Sequence, residues 1–297
     1  MSQNDTPERP TARLDLAFDP GREVAQPREA ATVLILREAP VPGGELEIFC
    51  VVRHKKSGFL GGALVFPGGK IDEADALPAW VERAGGLPPR SERVASSDAA
   101  ARALSVGAAR ETLEEAGVLP LSAPLAAAEI AALRSELAAG QTLLDVLERR
   151  GAALDTAAFV PFARWVTPEA EPRRFDTRFY LLPLPAGQEA SNDGHETTDG
   201  FWATPAAVLE RFLRDEVQLA PPTTRCLELL SGVTSFARAV EIAAAQSLEP
   251  ICPRFVPGDP PFLALPGDPA HEVTVARVPG PTRFVLRDGR FVSEAPS

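Results

Sequence analysis

ARETLEEAG, residues 109–117, places Glu111, Glu114 and Glu115 close together at one helical end. Gly117 and, just beyond it, Pro120 are stop signals, and Ser97-Asp98 upstream offers an N-cap with an acid in the first turn. The sequence therefore predicts one helix over 98–116. At about 100° per residue, positions 111, 114 and 115 fall within roughly a 100° arc, so the three carboxylates share a face. Arg110 reaches Glu114 one turn on, but one guanidinium does not neutralise three acids. The glutamates also crowd the last turn, where the helix dipole disfavours an anion by about 0.3–1 kcal/mol, and like charges one turn apart add a similar penalty. An arrangement that breaks local rules without local gain points to a functional site; the bland alternative is a solvated acidic face. Clustered carboxylates suit a hard divalent cation such as Mg²⁺, which takes oxygen ligands.

Upstream of the helix lies FPGGKIDEAD (66–75). Gly69, Asp75, Arg110, Glu111, Glu114, Glu115, Gly117 and Val118 together resemble the signature box of the Nudix hydrolases, G-x5-E-x7-R-E-U-x-E-E-x-G-U, with U a bulky aliphatic. Asp75 stands where the pattern has glutamate, and Thr112 where it has the first aliphatic. From 76 to 109 there are 34 residues where the pattern has seven, an insertion of 27. The stretch 76–97 carries three prolines and Gly85-Gly86, as a looped-out segment would. A box interrupted here is similar to the branch of the peroxisomal coenzyme A diphosphatase, as are GFLGGALVFPGGKID, RWVTPEAEPRRFDTRFYLLPLP and LAPPTTRCLELL. The likeness covers about 30–235.

The resemblance implies an α/β fold: a Nudix α/β/α sandwich with a mixed central sheet, helical insertions and a small C-terminal β-containing extension. It implies a metal-dependent hydrolase that cleaves a diphosphate linkage in a nucleoside-diphosphate-containing substrate, with coenzyme A or acyl-CoA as one candidate. A pyrophosphatase for ADP-ribose, dinucleotides or nucleotide sugars stays open, as does a non-catalytic nucleotide sensor. Mg²⁺ or Mn²⁺ is expected on Glu111, Glu114 and Glu115, with the Gly69 carbonyl adding a ligand. Glu114 and Glu115 are then catalytic, and Arg110 orients a carboxylate. Asp75 either supports the site or only turns the chain. Glu196, in SNDGHETTDGFW, is the candidate ligand or general base, with Asp199 and His195 competing. Arg173, Arg174 and Arg178, from EPRRFDTRF, and Arg53, at the head of the His54-Lys55-Lys56 loop, are candidates for substrate phosphates. The alternative for the first three is salt bridges to Glu169, Glu171 or Asp176. Trp80, in the insertion, is expected to pin it to the body in preference to stacking on a base.

Along the chain, residues 1–27 read as a polar, Pro-rich arm and 28–235 as the Nudix domain, including a helical insert at about 124–150. That insert and the box insertion are both candidates for a lid. Residues 236–297 read as a helix and a β extension, with strands expected at VTVARV and in the hairpin FVLRDGRFV around Asp288-Gly289. A net charge of −11 argues against a nucleic-acid backbone as partner. The three cysteines are widely spaced, without a CxxC pair, and read as reduced thiols. The polar start and the lack of an apolar run of about 18 residues make cytoplasm the expectation and a membrane partner unexpected. The chain ends EAPS, unlike the targeting tripeptide of peroxisomal members. Family members are often dimers, which makes a homodimer the assembly to test.

Overall fold

The computed structural model describes residues 23–54, 61–194 and 197–296. β1 (Arg28–Arg37) and β2 (Glu47–Arg53) form from the two apolar runs. β3 (Leu64–Val65) and β4 (Gly68–Lys70) are short. α1 (Trp80–Arg83) lies in the box insertion, and α2 (Asp98–Ala116) is the glutamate-bearing helix. α3 (Ala127–Ala138) and α4 (Leu143–Arg150) form where helices were expected. β5 (Val160–Val166), β6 (Phe175–Pro183) and β7 (Thr197–Ala203) return to the sheet. α5 (Pro205–Leu213), α6 (Pro221–Leu230) and α7 (Phe236–Ala245) follow. β8 (Arg254–Val256), β9 (Phe262–Ala264), β10 (Arg283–Arg287) and β11 (Arg290–Glu294) close the chain.

The central sheet is mixed, as expected. β1 runs parallel to β6 and antiparallel to β2 and β4, β5 pairs antiparallel with β6, and β3 and β7 pair antiparallel with β2. Successive side chains of a strand point to opposite faces. In β1, Val33 and Ile35 therefore enter one core and Leu34 and Leu36 the other. The first core also takes Phe49, Tyr180 and Leu182, and is covered by Leu113, Leu133 and Leu147 of α2–α4. The second takes Cys50, Phe179 and Leu181, covered by Phe212, Leu227 and Ala243 of α5–α7. Helices thus lie on both faces of the sheet, and α2 with its glutamates lies on the face shared by Phe49 and Val51.

α2 starts and stops where its caps predict. Ser97 Oγ accepts from the Ala100 N–H at 3.2 Å, and Gly117 adopts φ 66°. The box insertion is folded onto the body: Trp80 is 2% exposed, and its Nε1–H donates to the Ala74 carbonyl at 2.9 Å, so it pins the insertion. β7 begins at Thr197, before the FW pair, because TTDG already pairs with β2. No helix among the described residues is long and apolar enough to cross a membrane.

The C-terminal part departs from expectation in two places. The hairpin forms, with Asp288 at φ 50° and Gly289 at φ 81° turning it. VTVARV, however, forms no strand, and β8 and β9 arise upstream of it, among the prolines between 250 and 270. The second sheet runs β11-β10-β9-β8. It sends Leu263, Phe284 and Phe291 into the same core as α5–α7. Arg225 of α6, 1% exposed, is tied to it by donating to the Pro279 and Pro281 carbonyls.

Candidate active site

The last two turns of α2 lie against the β4 turn that FPGGK builds. A Cβ on Gly69 would stand 2.4 Å from Glu111 Oε1, so only glycine lets the turn approach this carboxylate. The Gly68 N–H donates to Glu115 Oε2 at 3.0 Å. Glu111 and Glu115 are buried, at 9% and 3% exposure, while the Glu114 side chain is 39% exposed.

Arg110 uses all five of its N–H donors. Nε and Nη2 grip both oxygens of Asp75 at 3.0 Å each, and Nη2 also donates to the Lys70 carbonyl at 2.9 Å. Nη1 donates to Glu111 Oε1 at 2.8 Å and to Glu114 Oε2 at 3.1 Å. Burial alone would lower the pKa of this guanidinium, but the Asp75 hydrogen bond and the charges of Glu111, Asp75 and Glu114 outweigh it and raise it. Asp75 is 2% exposed, and its Oδ2 accepts from the Asp72 N–H at 2.9 Å. It therefore meets Arg110 across 35 positions of sequence. Bidentate carboxylate–arginine geometry is rigid as well as strong.

Glu111 is the group under most electrostatic stress. Burial pushes its carboxyl up to about 7, Arg110 opposes this, and Glu114 and Asp75 add to it. A buried, proton-retaining carboxylate beside two more acids and a backbone carbonyl is an oxygen-rich donor set that a divalent cation would satisfy. Among the described residues, no three His, Cys, Asp or Glu side chains are drawn together closely enough to hold an ion as they stand. Arg110 Nη1 bridges Glu111 and Glu114, and the Gly68 N–H holds Glu115. The chemistry of the donors fits a hard cation.

The other sequence candidates separate. Arg53 shares the Phe49 and Val51 face of β2, and its Nη1 lies 3.9 Å from Glu115 Oε1. Among the described residues its buried Nε has no hydrogen-bond partner. Arg174 and Arg178 are not brought to the carboxylates. Arg174, 8% exposed, donates to the Thr167 and Ala25 carbonyls at 3.0 and 2.9 Å. Arg178, 3% exposed, donates to the Val94 and Asp176 carbonyls, both at 2.9 Å, and to Glu29 at 3.2 Å. Both are spent in joining strand to loop, because a buried guanidinium must fill its donors from whatever surrounds it. Arg173 is exposed in the turn before β6. Asp199 alternates with Phe201, which packs on the α5–α7 side, so it points away from α2. Glu196 and His195, with Lys55 and Lys56, lie outside the described residues.

Two features had weak sequence signals. Arg134 of α3 donates through Nε and Nη2 to the Glu114 carbonyl at 3.0 and 2.9 Å; nothing in its own helix marks it. A cavity of about 200 Å³ opens beside Arg110 and Glu114, walled by Trp80 and by Gln141, Leu143 and Leu144 at the α3–α4 turn. The positions of the two insertions were the only sequence hint of that wall.

The NUDT19 Nudix domain family model matches residues 88–229. The chain is similar to the acyl-coenzyme A diphosphatase NUDT19 of Gallus gallus, 30% identical over an alignment 298 positions long that covers 81% of this chain and 79% of that one. It is 26% identical over 254 residues to the Homo sapiens protein of that name, spanning 71% of this chain and 67% of the other. Among solved structures, a NUDIX hydrolase from Alicyclobacillus acidocaldarius superposes with a TM-score of 0.62 at 32% identity, over 76% of this chain and 99% of that one.

Proposed function

This chain belongs to the Nudix hydrolase family, and from that premise we propose that it hydrolyses the diphosphate bridge of coenzyme A or an acyl-coenzyme A. The observation that carries the reading is the Arg110 lock, which holds Glu111 and Glu114 on one guanidinium anchored by Asp75. The names of the chicken and human relatives support the choice of substrate.

Mg²⁺ or Mn²⁺ would be held by Glu111, Glu114, Glu115 and the Gly69 carbonyl, and would supply charge neutralisation for the phosphates and a more acidic water. The chain's own residues do the rest. Asp75 fixes Arg110, and Arg110 fixes the two carboxylates against their mutual repulsion. Arg53, with a buried N–H that no acceptor among the described residues meets, suits a phosphate oxygen. Water adds to one phosphorus, the bridging P–O bond breaks, and the leaving phosphate keeps the electron pair. Glu196 is proposed to take the proton of the water, on the resemblance alone. The cavity beside Glu114 is open to one arm of the substrate, and its carboxylate neighbours favour an uncharged arm over an anionic one.

The test is product formation from coenzyme A, acyl-CoA, ADP-ribose, NADH and nucleotide sugars, with Mg²⁺ and with Mn²⁺, beside Glu114→Gln. Coenzyme A should yield 4′-phosphopantetheine and adenosine 3′,5′-bisphosphate, and Glu114→Gln should lose that activity. Turnover confined to ADP-ribose, NADH or nucleotide sugars would reject coenzyme A as the substrate. Tight binding without turnover would reject catalysis.

A further inference from the structure

Arg134 lies outside the signature box, yet it closes the end of the box helix. A helix leaves its last four carbonyls without intrahelical partners. Here the Gly117 N–H donates to the Leu113 carbonyl at 3.0 Å and the Val118 N–H to the Thr112 carbonyl at 3.1 Å. The Ala116 carbonyl is met by the Ser191 N–H at 2.9 Å. The Glu114 carbonyl is met by two arms of the Arg134 fork, while the third, Nη1, donates to Ser191 Oγ at 3.1 Å. The Ser191 loop is anchored at its far side too, since Asp193 Oδ1 accepts from the Thr197 N–H at 3.0 Å and from its hydroxyl at 2.7 Å. Thr197 in turn pairs with Arg53 across β7 and β2. A single half-buried guanidinium therefore joins α3, the carboxylate turn and the loop that enters β7.

This also meets the electrostatic problem posed by the glutamates. A cation at a helix C-terminus offsets the dipole that disfavours Glu114 and Glu115 there. It arrives from α3, in space and not in sequence.

We propose that Arg134 is a positioning residue for the hydrolysis, setting the last turn of α2, and with it the Glu114 and Glu115 carboxylates, against the Ser191–Asp193 loop. The role needs the planar fork as well as the charge, because one guanidinium must span two acceptors; an ammonium lacks that geometry. A displacement of about 1 Å at such carboxylates is enough to cost on the order of 100-fold in rate. The inference rests on reading α2 as the diphosphatase site.

The experiment compares Arg134→Ala, Arg134→Lys and Arg225→Ala with the parent. Arg225 is a buried clamp on the C-terminal sheet and serves as the purely structural control. Two quantities are read per folded molecule: kcat and KM for coenzyme A, and the affinity of the nucleotide-free protein for Mn²⁺ by electron paramagnetic resonance. Arg134→Ala should lower kcat and weaken Mn²⁺ binding by about 10–100-fold, the range for residues that orient metal ligands, with KM little changed. Arg134→Lys should recover only part of both. Arg225→Ala should lower the unfolding midpoint and leave both quantities near the parent. If Arg134→Lys keeps kcat and Mn²⁺ affinity at parental values, the fork is not needed and the proposal fails, whether or not Arg134→Ala folds. If the parent cleaves no coenzyme A, the diphosphatase reading fails, and Mn²⁺ affinity still decides the role of Arg134.

Discussion

Replacing Glu111 by glutamine should stabilise the metal-free protein while destroying its response to divalent cations. The Glu111 carboxyl is 9% exposed and pressed against the Gly69 backbone, and burial moves it from 4.5 to about 7. The folded protein therefore keeps this proton up to about pH 7, whereas the unfolded chain releases it near 4.5. The sign follows from linkage: a folded-state value raised above the unfolded one gives stability that is present at low pH and lost as pH rises through the folded value. The difference corresponds to about 3 kcal/mol once both states are ionised. Glutamine keeps the shape and an oxygen for Arg110 Nη1 but carries no charge to desolvate. In EDTA at pH 8, Glu111→Gln should be more stable than the parent by up to about 3 kcal/mol, and the gap should close toward pH 4.5. Mg²⁺ at about 1,000 times its Kd should reverse the order, because it then adds about 4.1 kcal/mol to a protein that binds it. Urea unfolding at several pH values, with EDTA or Mg²⁺, measures all of this. A variant less stable than the parent in EDTA at pH 8, or a gap independent of pH, would refute the view of Glu111 as a buried charge that Arg110 only partly compensates.

Asp75→Asn removes one charge behind Arg110 and should lower kcat by about 10–100-fold with KM little changed, as loss of an orienting partner does; steady-state kinetics decide, and unchanged kcat would return Asp75 to a turn role. Arg53→Ala should raise KM for coenzyme A by about tenfold or more, the worth of a charge-assisted hydrogen bond, and an unaltered KM would remove Arg53 from the phosphate site. Gln141→Trp, on the exposed rim of the cavity, should raise KM for coenzyme A while leaving the urea midpoint within about 0.5 kcal/mol of the parent; normal KM would show that the cavity is not used. Truncation after residue 249 strips Leu263, Leu265, Phe284 and Phe291 from the core, each worth about 1.5–3 kcal/mol, which together rival the stability of a whole domain. Circular dichroism should then show no cooperative unfolding, and a sharp transition would make the C-terminal sheet dispensable.

The outcome at each arginine shows what kind of information a sequence holds. The contact of Arg110 with Glu114 was legible because the two stand one helical turn apart, a spacing that geometry brings together. Arg178 sits in β6 and Arg174 just before it, but no sequence rule says that Val94, Ala25 and Thr167 carbonyls would absorb them. Arg53 reached the site because the parity of β2 puts it on the α2 face. VTVARV had the alternation of a strand, but alternation does not name a partner, and β9 pairs with β8 and β10 instead.

By itself the sequence determined the glutamate helix with both its caps, the shared face of its carboxylates and the Asp288-Gly289 hairpin. These depend on contacts within about four residues, where backbone geometry leaves one answer. The tertiary structure alone decided that Asp75 grips Arg110 across the insertion, that Arg134 rather than a neighbour offsets the helix end, and that the C-terminal sheet completes the core under α5–α7. Long, flexible charged side chains and apolar faces take whichever partner the packed chain brings within reach, and that partner is set by which segments meet in space, not by their spacing in sequence.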